Sequence, residues 1–235
     1  MKIFTAAILG LSLLPAGVVA DTTYPGALVM GTGYALDTPD GFPGSVYPNL
    51  NDPLSMVGRI ASVDAPFAGL VPPGNWEITY VLEGASCAGG GIWDNIPCSG
   101  GTFGWYQAGT LTFYLDTTPD ADFLMPASFR DGDPILVASV TRVDIWDDDP
   151  TGACPFVEEQ PDWSCSFVFT GGTWFDEASS NGTGFEGRTI GEIYGSPSPV
   201  LYAIGYRFEL DGTIDVIAPV ATQQSTWGAV KAMYR

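Results

Sequence analysis

Bulky apolar residues recur at every second position along much of this chain. In Trp76–Glu83 they are Trp76, Ile78, Tyr80 and Leu82. Successive side chains of a strand point to opposite faces, so this period predicts a half-buried β-strand. The same pattern predicts strands at Ala27–Ala35, Met56–Val63, Phe103–Gln107, Leu111–Leu115, Ile135–Val143, Cys165–Phe169 and Tyr202–Glu209. Only the tail Thr226–Arg235 shows a trace of helical periodicity.

Glycine and proline are spread between these segments, as short strands joined by turns require. Asp211-Gly212 lies between two alternating segments, and this pair is typical of a hairpin turn. The sequence therefore predicts an all-β protein, an antiparallel β-sandwich of jelly-roll or immunoglobulin-like form, as one domain over residues 21–222 with a tail at 223–235. A membrane barrel is the alternative, and the prolines, the expected disulfides and the charged Arg235 count against it.

The first twenty residues have the pattern of a secretory signal. Lys2 precedes the apolar run Ile3–Leu14, and Val18-Val19-Ala20 supplies small residues for cleavage. We expect the mature chain to begin at Asp21 and to be secreted, at the bacterial surface or in the extracellular medium, with the periplasm as an alternative. No later apolar run has the length of a membrane helix.

The cysteines are Cys87, Cys98, Cys154 and Cys165. An even number in an exported chain indicates disulfides, and three pairings are possible. Each of the pairs Cys87–Cys98 and Cys154–Cys165 brackets a short loop, so we expect that pairing and disulfide-stapled loops. Zinc is the competing interpretation, but the spacing lacks a C-x-x-C element and the chain has no histidine.

Charge and composition exclude several classes of function. Without Lys2 the chain has seven basic against 27 acidic residues, a net charge of −20. Nucleic acids and anionic lipid surfaces repel such a protein. The absence of histidine removes Ser-His-Asp and Cys-His catalysis, and Lys231 is the sole lysine that remains. A glycosidase with paired carboxylates stays open, and its eligible glutamates are Glu77, Glu83, Glu186, Glu192 and Glu209.

One acidic segment matches the ligand spacing of a calcium loop. Calcium loops place oxygen ligands at positions 1, 3, 5, 7 and 12, with glycine at position 6. Pro150 and the flanking strands differ from an EF-hand, so an acidic surface turn is the alternative. Under the calcium hypothesis the ligands are Asp147, Asp149, Thr151, the backbone carbonyl of Ala153, and Glu158. A second acidic loop, with Asp116, Asp120 and Asp122, is a weaker candidate of the same kind.

Tryptophan supplies a second candidate, because flat indole rings stack on sugars. The tryptophans considered are Trp76, Trp93, Trp105, Trp146, Trp163 and Trp174. We expect Trp76 to lie in the core. Trp93 and Trp163 lie inside the predicted cysteine loops, and we expect them to be exposed and to form the ligand-binding surface. Packing of these rings against the disulfides is the alternative.

Several phrases carry a resemblance to a known group of proteins. They are G-T-L-T-F-Y-L-D with P-D-A-D-F, F-R-D-G-D-P-I-L-V-A-S-V, F-T-G-G-T-W-F and the ending S-T-W-G-A-V-K-A-M-Y-R. Together they resemble secreted β-rich proteins of environmental bacteria that have no known activity. The resemblance implies a bacterial source and an extracellular or surface location, and it implies no site residues.

The functional hypotheses follow in order. First is a non-catalytic exported protein with a binding or structural role, stabilised by calcium if the acidic loop binds it. A carbohydrate-binding module is the alternative, and a carboxylate-dependent glycoside hydrolase is the second alternative. The expected partner is a glycan or another surface protein.

Overall fold

The structure, a computed structural model, describes residues 21–37, 50–95, 98–147, 163–178, 186–191 and 198–219. Its strands are β1 (Asp21–Asp37), β2 (Pro53–Val63), β3 (Glu77–Asn95), β4 (Cys98–Gln107), β5 (Thr110–Asp116), β6 (Asp133–Asp147), β7 (Trp163–Gly171), β8 (Glu186–Gly191) and β9 (Tyr206–Pro219). Two short helices, α1 (Thr173–Ala178) and α2 (Pro199–Ala203), precede β8 and β9. Single 3-10 turns lie at Ala68–Leu70 and Pro126–Phe129.

The strands form one closed antiparallel barrel, so the predicted β-sandwich is wrong. With the exception of β4 and β5, consecutive strands pair with each other, and β9 returns to pair with β1. The strands β4 and β5 occupy one position in the wall, because β4 pairs with the second half of β3 and β5 with the first. The barrel therefore has eight positions. A period of two appears in a sandwich and in a barrel alike, since both have one buried face.

The junction of β4 and β5 depends on two residues with positive φ. Ala108 has a φ of 61° and Gly109 a φ of 103°. A Cβ atom on Gly109 would lie 2.9 Å from the carbonyl oxygen of Glu83, so the backbones approach too closely there for a side chain. Because the chain bends at this junction, the same edge of β3 pairs first with β5 and then with β4.

Large apolar side chains fill the interior of the barrel. The biggest of them are fully buried and include Tyr80, Phe113, Phe167, Phe169 and Leu136. A void of about 10 Å³ lies between Met30, Tyr80, Cys165 and their neighbours, which is about the space that one water needs. Eight strands enclose a space that side chains can just fill.

Tyr80 crosses the inner surface of two neighbouring strands. Its ring lies over Gly58 on β2, and its hydroxyl reaches Gly33 on β1, which pairs with Gly58. The hydroxyl is buried and has no hydrogen-bond partner among the described residues. Burial is the main reason that the pKa of Tyr80 is raised, and the charge of Asp211 adds to it. The two glycines thus leave room for one aromatic ring.

A second apolar cluster lies on the outside of the wall. The segment 117–132, which we call the strap, connects β5 to β6 and crosses the outer face of the sheet. Its Ala121 and Phe129 are buried. They pack with Tyr34, Val57, Val81 and Tyr206 from β1, β2, β3 and β9.

Most predicted strands are confirmed, and the differences fall near glycines and short helices. The predicted hairpin at Asp211-Gly212 is wrong, because β9 runs through it and Gly212 pairs with Met30 of β1. A Cβ on Gly212 would lie 2.7 Å from the carbonyl oxygen of Ile190, so the glycine permits close strand approach rather than a turn. Part of the segment predicted as a strand from Tyr202 belongs to α2.

Candidate functional site

The structure contradicts the predicted disulfides, and for Cys87–Cys98 the reason is the register of the barrel. Cys98 lies opposite Asn95, whereas Cys87 lies opposite Tyr106, eight residues further down β3. At about 3.3 Å per residue this is roughly 25 Å, and a disulfide needs Cα atoms within about 7 Å. Cys165 is buried in the interior between Val143 and Thr189 and is a free thiol. Cys154 lies outside the described residues, and among those residues no disulfide is present.

Cys165 is expected to react with iodoacetamide only after the protein is unfolded. Burial, with a smaller contribution from Asp144, raises the pKa of this thiol to about 12, and the thiolate is the reactive form. Labelling in native and in denaturing buffer, without reductant, followed by peptide mass spectrometry measures this. The reference for full labelling is the reduced, denatured chain. A peptide joined through Cys165 to another peptide would contradict the expectation.

The two predicted ligand-binding tryptophans do not form an exposed pair. Trp163 is 2 % exposed and lines the interior void. Its indole N–H donates to the carbonyl oxygen of Asp211 at 2.8 Å. The expectation that Trp163 is exposed is therefore wrong, because it lies at an inward position of β7. The backbone of Trp93 pairs with Gly101 in the β3–β4 hairpin, and its side chain lies outside the described part.

The proposed calcium loop lies almost entirely outside the described residues. Asp147 ends β6, and Asp149, Thr151, Ala153 and Glu158 follow in residues 148–162. The calcium hypothesis for this loop therefore continues to rest on ligand spacing. Calorimetric titration of the mature chain with calcium tests it, and the absence of heat at millimolar calcium would end it.

The structure brings together three other carboxylates. Asp116 and Asp120 belong to the second acidic loop of the sequence, whereas nothing in the sequence connects this loop with Glu77. Oxygens of Glu77, Asp116 and Asp120 all lie within 4.8 Å of one another, where β3 starts, β5 ends and the strap begins. We call this group the acidic corner. Asp131, near the other end of the strap, is the largest cause of the raised pKa of Asp120, and burial, Asp116 and Glu77 contribute. Four carboxylates thus interact electrostatically around one turn.

Glu77 already has several partners in this corner. Its Oε1 atom accepts hydrogen bonds from the backbone N–H groups of Asp120, at 2.5 Å, and Ala121, at 2.7 Å. Its Oε2 atom lies 3.4 Å from Nε of Arg59. Arg59 also donates to the carbonyl oxygen of Ala121, and its guanidinium carbon is 5.5 Å from the ring centre of Phe123. The described contacts of Glu77 thus hold the strap against the wall.

A different polar group surrounds Trp105 on the outside of the barrel. The indole of Trp105, on β4, lies against Gly89 of β3, where a Cβ would be 2.6 Å from ring atoms Cε2 and Cη2. The guanidinium carbon of Arg142 is 5.9 Å from the ring centre. Asp144 accepts from Arg142 Nε at 2.7 Å and from Nη2 at 2.6 Å. Trp105 lies between the buried residues Gly104 and Tyr106. Because successive side chains of a strand point to opposite faces, this position predicts that Trp105 faces outward.

None of the helices in the described part of the chain has the length and apolarity that crossing a membrane requires. Compared with protein-family models, with curated proteins and with solved structures, the chain gives no significant match.

Proposed function

We propose that this chain is an exported, non-catalytic β-barrel protein whose outer surface and loops carry a binding or structural role. The observation that carries the proposal is the filled interior. Small barrels that hold a ligand leave a cavity for it, whereas Tyr80, Phe113 and Phe169 fill this one. What the protein recognises is therefore expected on the outside.

The outer face of the barrel carries polar side chains, which are suited to contact with water. Exposed hydroxyl side chains lie at outward positions of β6 and β7. They are Ser139, Thr141, Ser166 and Thr170. Water solvates such groups well, and they offer many hydrogen bonds to a polar partner. Export itself is proposed from residues 1–20 of the sequence.

The contacts of Glu77 support a non-catalytic role for the acidic corner. A glycosidase needs one carboxyl group that gives up a proton and a second that acts as nucleophile or base. Glu77 accepts two backbone hydrogen bonds and pairs with Arg59. A carboxylate held by these donors is well suited to fixing a loop, and this is the role that we propose for it.

Carbohydrate binding is the second candidate, and the surroundings of Trp105 favour it. Sugar sites combine an aromatic face with a few fixed polar groups. Here Arg142 and Asp144 form a doubly hydrogen-bonded pair, and the guanidinium lies over the indole ring. A sugar that displaces the guanidinium from this face would stack on the indole, and the arginine and the carboxylate would bind its hydroxyl groups.

A glycan array, read together with a panel of chromogenic glycosides, tests both candidates on the mature chain. We expect no glycoside to be cleaved. For carbohydrate binding, we expect Trp105→Ala to lower glycan binding at least tenfold, because stacking provides much of the affinity. The matched control is Tyr202→Ala, which removes an exposed aromatic ring near the start of β9.

The outcomes separate the two candidates. Cleavage of a glycoside by the wild type would contradict the non-catalytic proposal. Failure of the wild type to bind any glycan, or equal loss in the Trp105 and Tyr202 variants, would contradict the carbohydrate site and leave the non-catalytic proposal standing.

A further inference from the structure

The strap is packed on the barrel as a separate layer. Its buried residues, Ala121 and Phe129, belong to the outer cluster, whose buried members differ from those of the interior core. The wall of the barrel lies between the two clusters. Removing the strap would expose Tyr34, Val57 and Val81 and would leave the strand pairing of the barrel unchanged.

The hydrogen bonds between strap and wall use side chains of the wall. Thr79 donates to the carbonyl oxygen of Phe129 at 2.9 Å in a buried position. Glu77 and Arg59 hold Ala121, and Arg130 pairs with Glu83 at 2.6 Å on the exposed side. Among the described residues, no backbone ladder joins the strap to the sheet. Elements held in this way open more easily than ladder-paired strands.

The acidic corner opposes closure of the strap. Closing the strap brings Asp120 close to Asp116 and Glu77, and like charges at this distance repel each other. Glu77 compensates by accepting the two amide hydrogen bonds of the turn. The hydrogen bonds of Glu77 therefore stabilise the closed strap. The repulsion between Asp120 and its neighbouring carboxylates destabilises it.

From this geometry we propose that the strap opens as a unit while the barrel stays closed, and that the acidic corner sets how often it opens. Glu77 favours the closed state, and the negative charge of Asp120 favours the open state. Opening of the strap exposes the apolar outer surface of β1, β2 and β3 that it covers in the closed state.

The pH dependence follows from the groups around the strap. They are Arg59 on β2, Glu77 and Glu83 on β3, Asp116 on β5, Asp120, Asp122, Arg130 and Asp131 on the strap, Asp133 at the start of β6, and Tyr34, Tyr206 and Glu209 beneath it. The neighbouring charge of Asp131, then burial and the charges of Asp116 and Glu77, raise the pKa of Asp120 in the closed state above 3.8. The closed strap thus binds this proton more tightly than the open strap. Stability of the closed state is lost as the pH rises from that value through the raised pKa.

Hydrogen exchange of the full mature chain, resolved by peptide mass spectrometry, tests the proposal. In the wild type we expect strap amides to exchange at least tenfold faster than those of β2 and β3, after correction for intrinsic rates. Glu77→Gln is expected to raise strap exchange by a further factor of about ten, because a charge-assisted bond is replaced by a neutral one. Asp120→Asn is expected to slow it. Glu186→Gln, an exposed change on β8, is the matched control.

The pH dependence of hydrogen exchange in the wild type tests the proposal without a variant, so the test does not depend on whether the variants fold. Lowering the pH from neutral to about 4, near the ordinary pKa of an aspartate, is expected to slow strap exchange relative to β2 and β3. Strap amides that exchange at the same rate as those of β2 and β3 would overturn the proposal. A Glu77→Gln effect that is equal in strap and barrel would do so as well.

Discussion

Gly58→Ala is expected to lower the free energy of unfolding by about 3 kcal/mol, or to prevent folding. A Cβ at position 58 would overlap the phenol of Tyr80, coming within 2.6 Å of its Cε1 atom. Tyr80 is fully buried and packs against Phe113, at 6.4 Å between ring centres, so it has little room to move away. Urea unfolding measures the change as a shift of the midpoint.

A strand glycine with more space around it provides the control. A Cβ on Gly31 would meet its nearest neighbours at 3.5 Å, an ordinary contact, so Gly31→Ala should change stability little. Adding Tyr80→Leu to Gly58→Ala should cost less than the sum of the two single changes, because the clash disappears with the ring. Additive costs, or equal effects at Gly31 and Gly58, would contradict the close packing of Tyr80 on Gly58.

Trp163→Ala is expected to lower the free energy of unfolding by about 4 kcal/mol. The substitution removes a buried indole beside an existing void and leaves the carbonyl oxygen of Asp211 without this donor. Trp163→Phe should cost less, because it keeps most of the volume and loses the N–H group. Denaturant unfolding of both variants, followed by glycan binding under native conditions, measures stability and function separately.

Trp105→Ala is the comparison for this substitution. Its side chain is half-buried on the outer wall, so we expect a smaller loss of stability than at Trp163. A Trp163→Ala variant that is as stable as the wild type but has lost glycan binding would restore the interpretation of Trp163 as an exposed ligand-binding residue.

The sequence predicts where the strands lie because alternation is a local property of side chains. Segments such as Ile135–Val143 and Met56–Val63 both lie within observed strands. Closure into a barrel depends instead on the pairing of β1 with β9, which are far apart in sequence. The short strand β8 carries Gly187 and Gly191 at inward positions, so it lacks bulky apolar residues that would have revealed it.

The candidate sites were harder to predict than the strands, because they too depend on contacts between residues that are far apart in sequence. Cysteine spacing suggested two small loops, whereas the register separates Cys87 from Cys98 along a long hairpin. The acidic corner joins Glu77 to Asp120, 43 residues later in the chain, and its detection needs the path of the strap. Residues that meet through sheet register leave no signal in local spacing.

The pairing of the first strand with the last also determines when this fold can form. Until residues 206–219 are available, the open edges of β1 and β8 have no partner within the described sheet, and such edges associate readily with other chains. Contacts between positions such as Thr22 and Ala218 close a loop of almost two hundred residues, which makes assembly slow. The barrel of a nascent chain therefore cannot close until synthesis has passed the ninth strand. Under the export that we propose, this delay would keep the chain unfolded while it crosses a membrane.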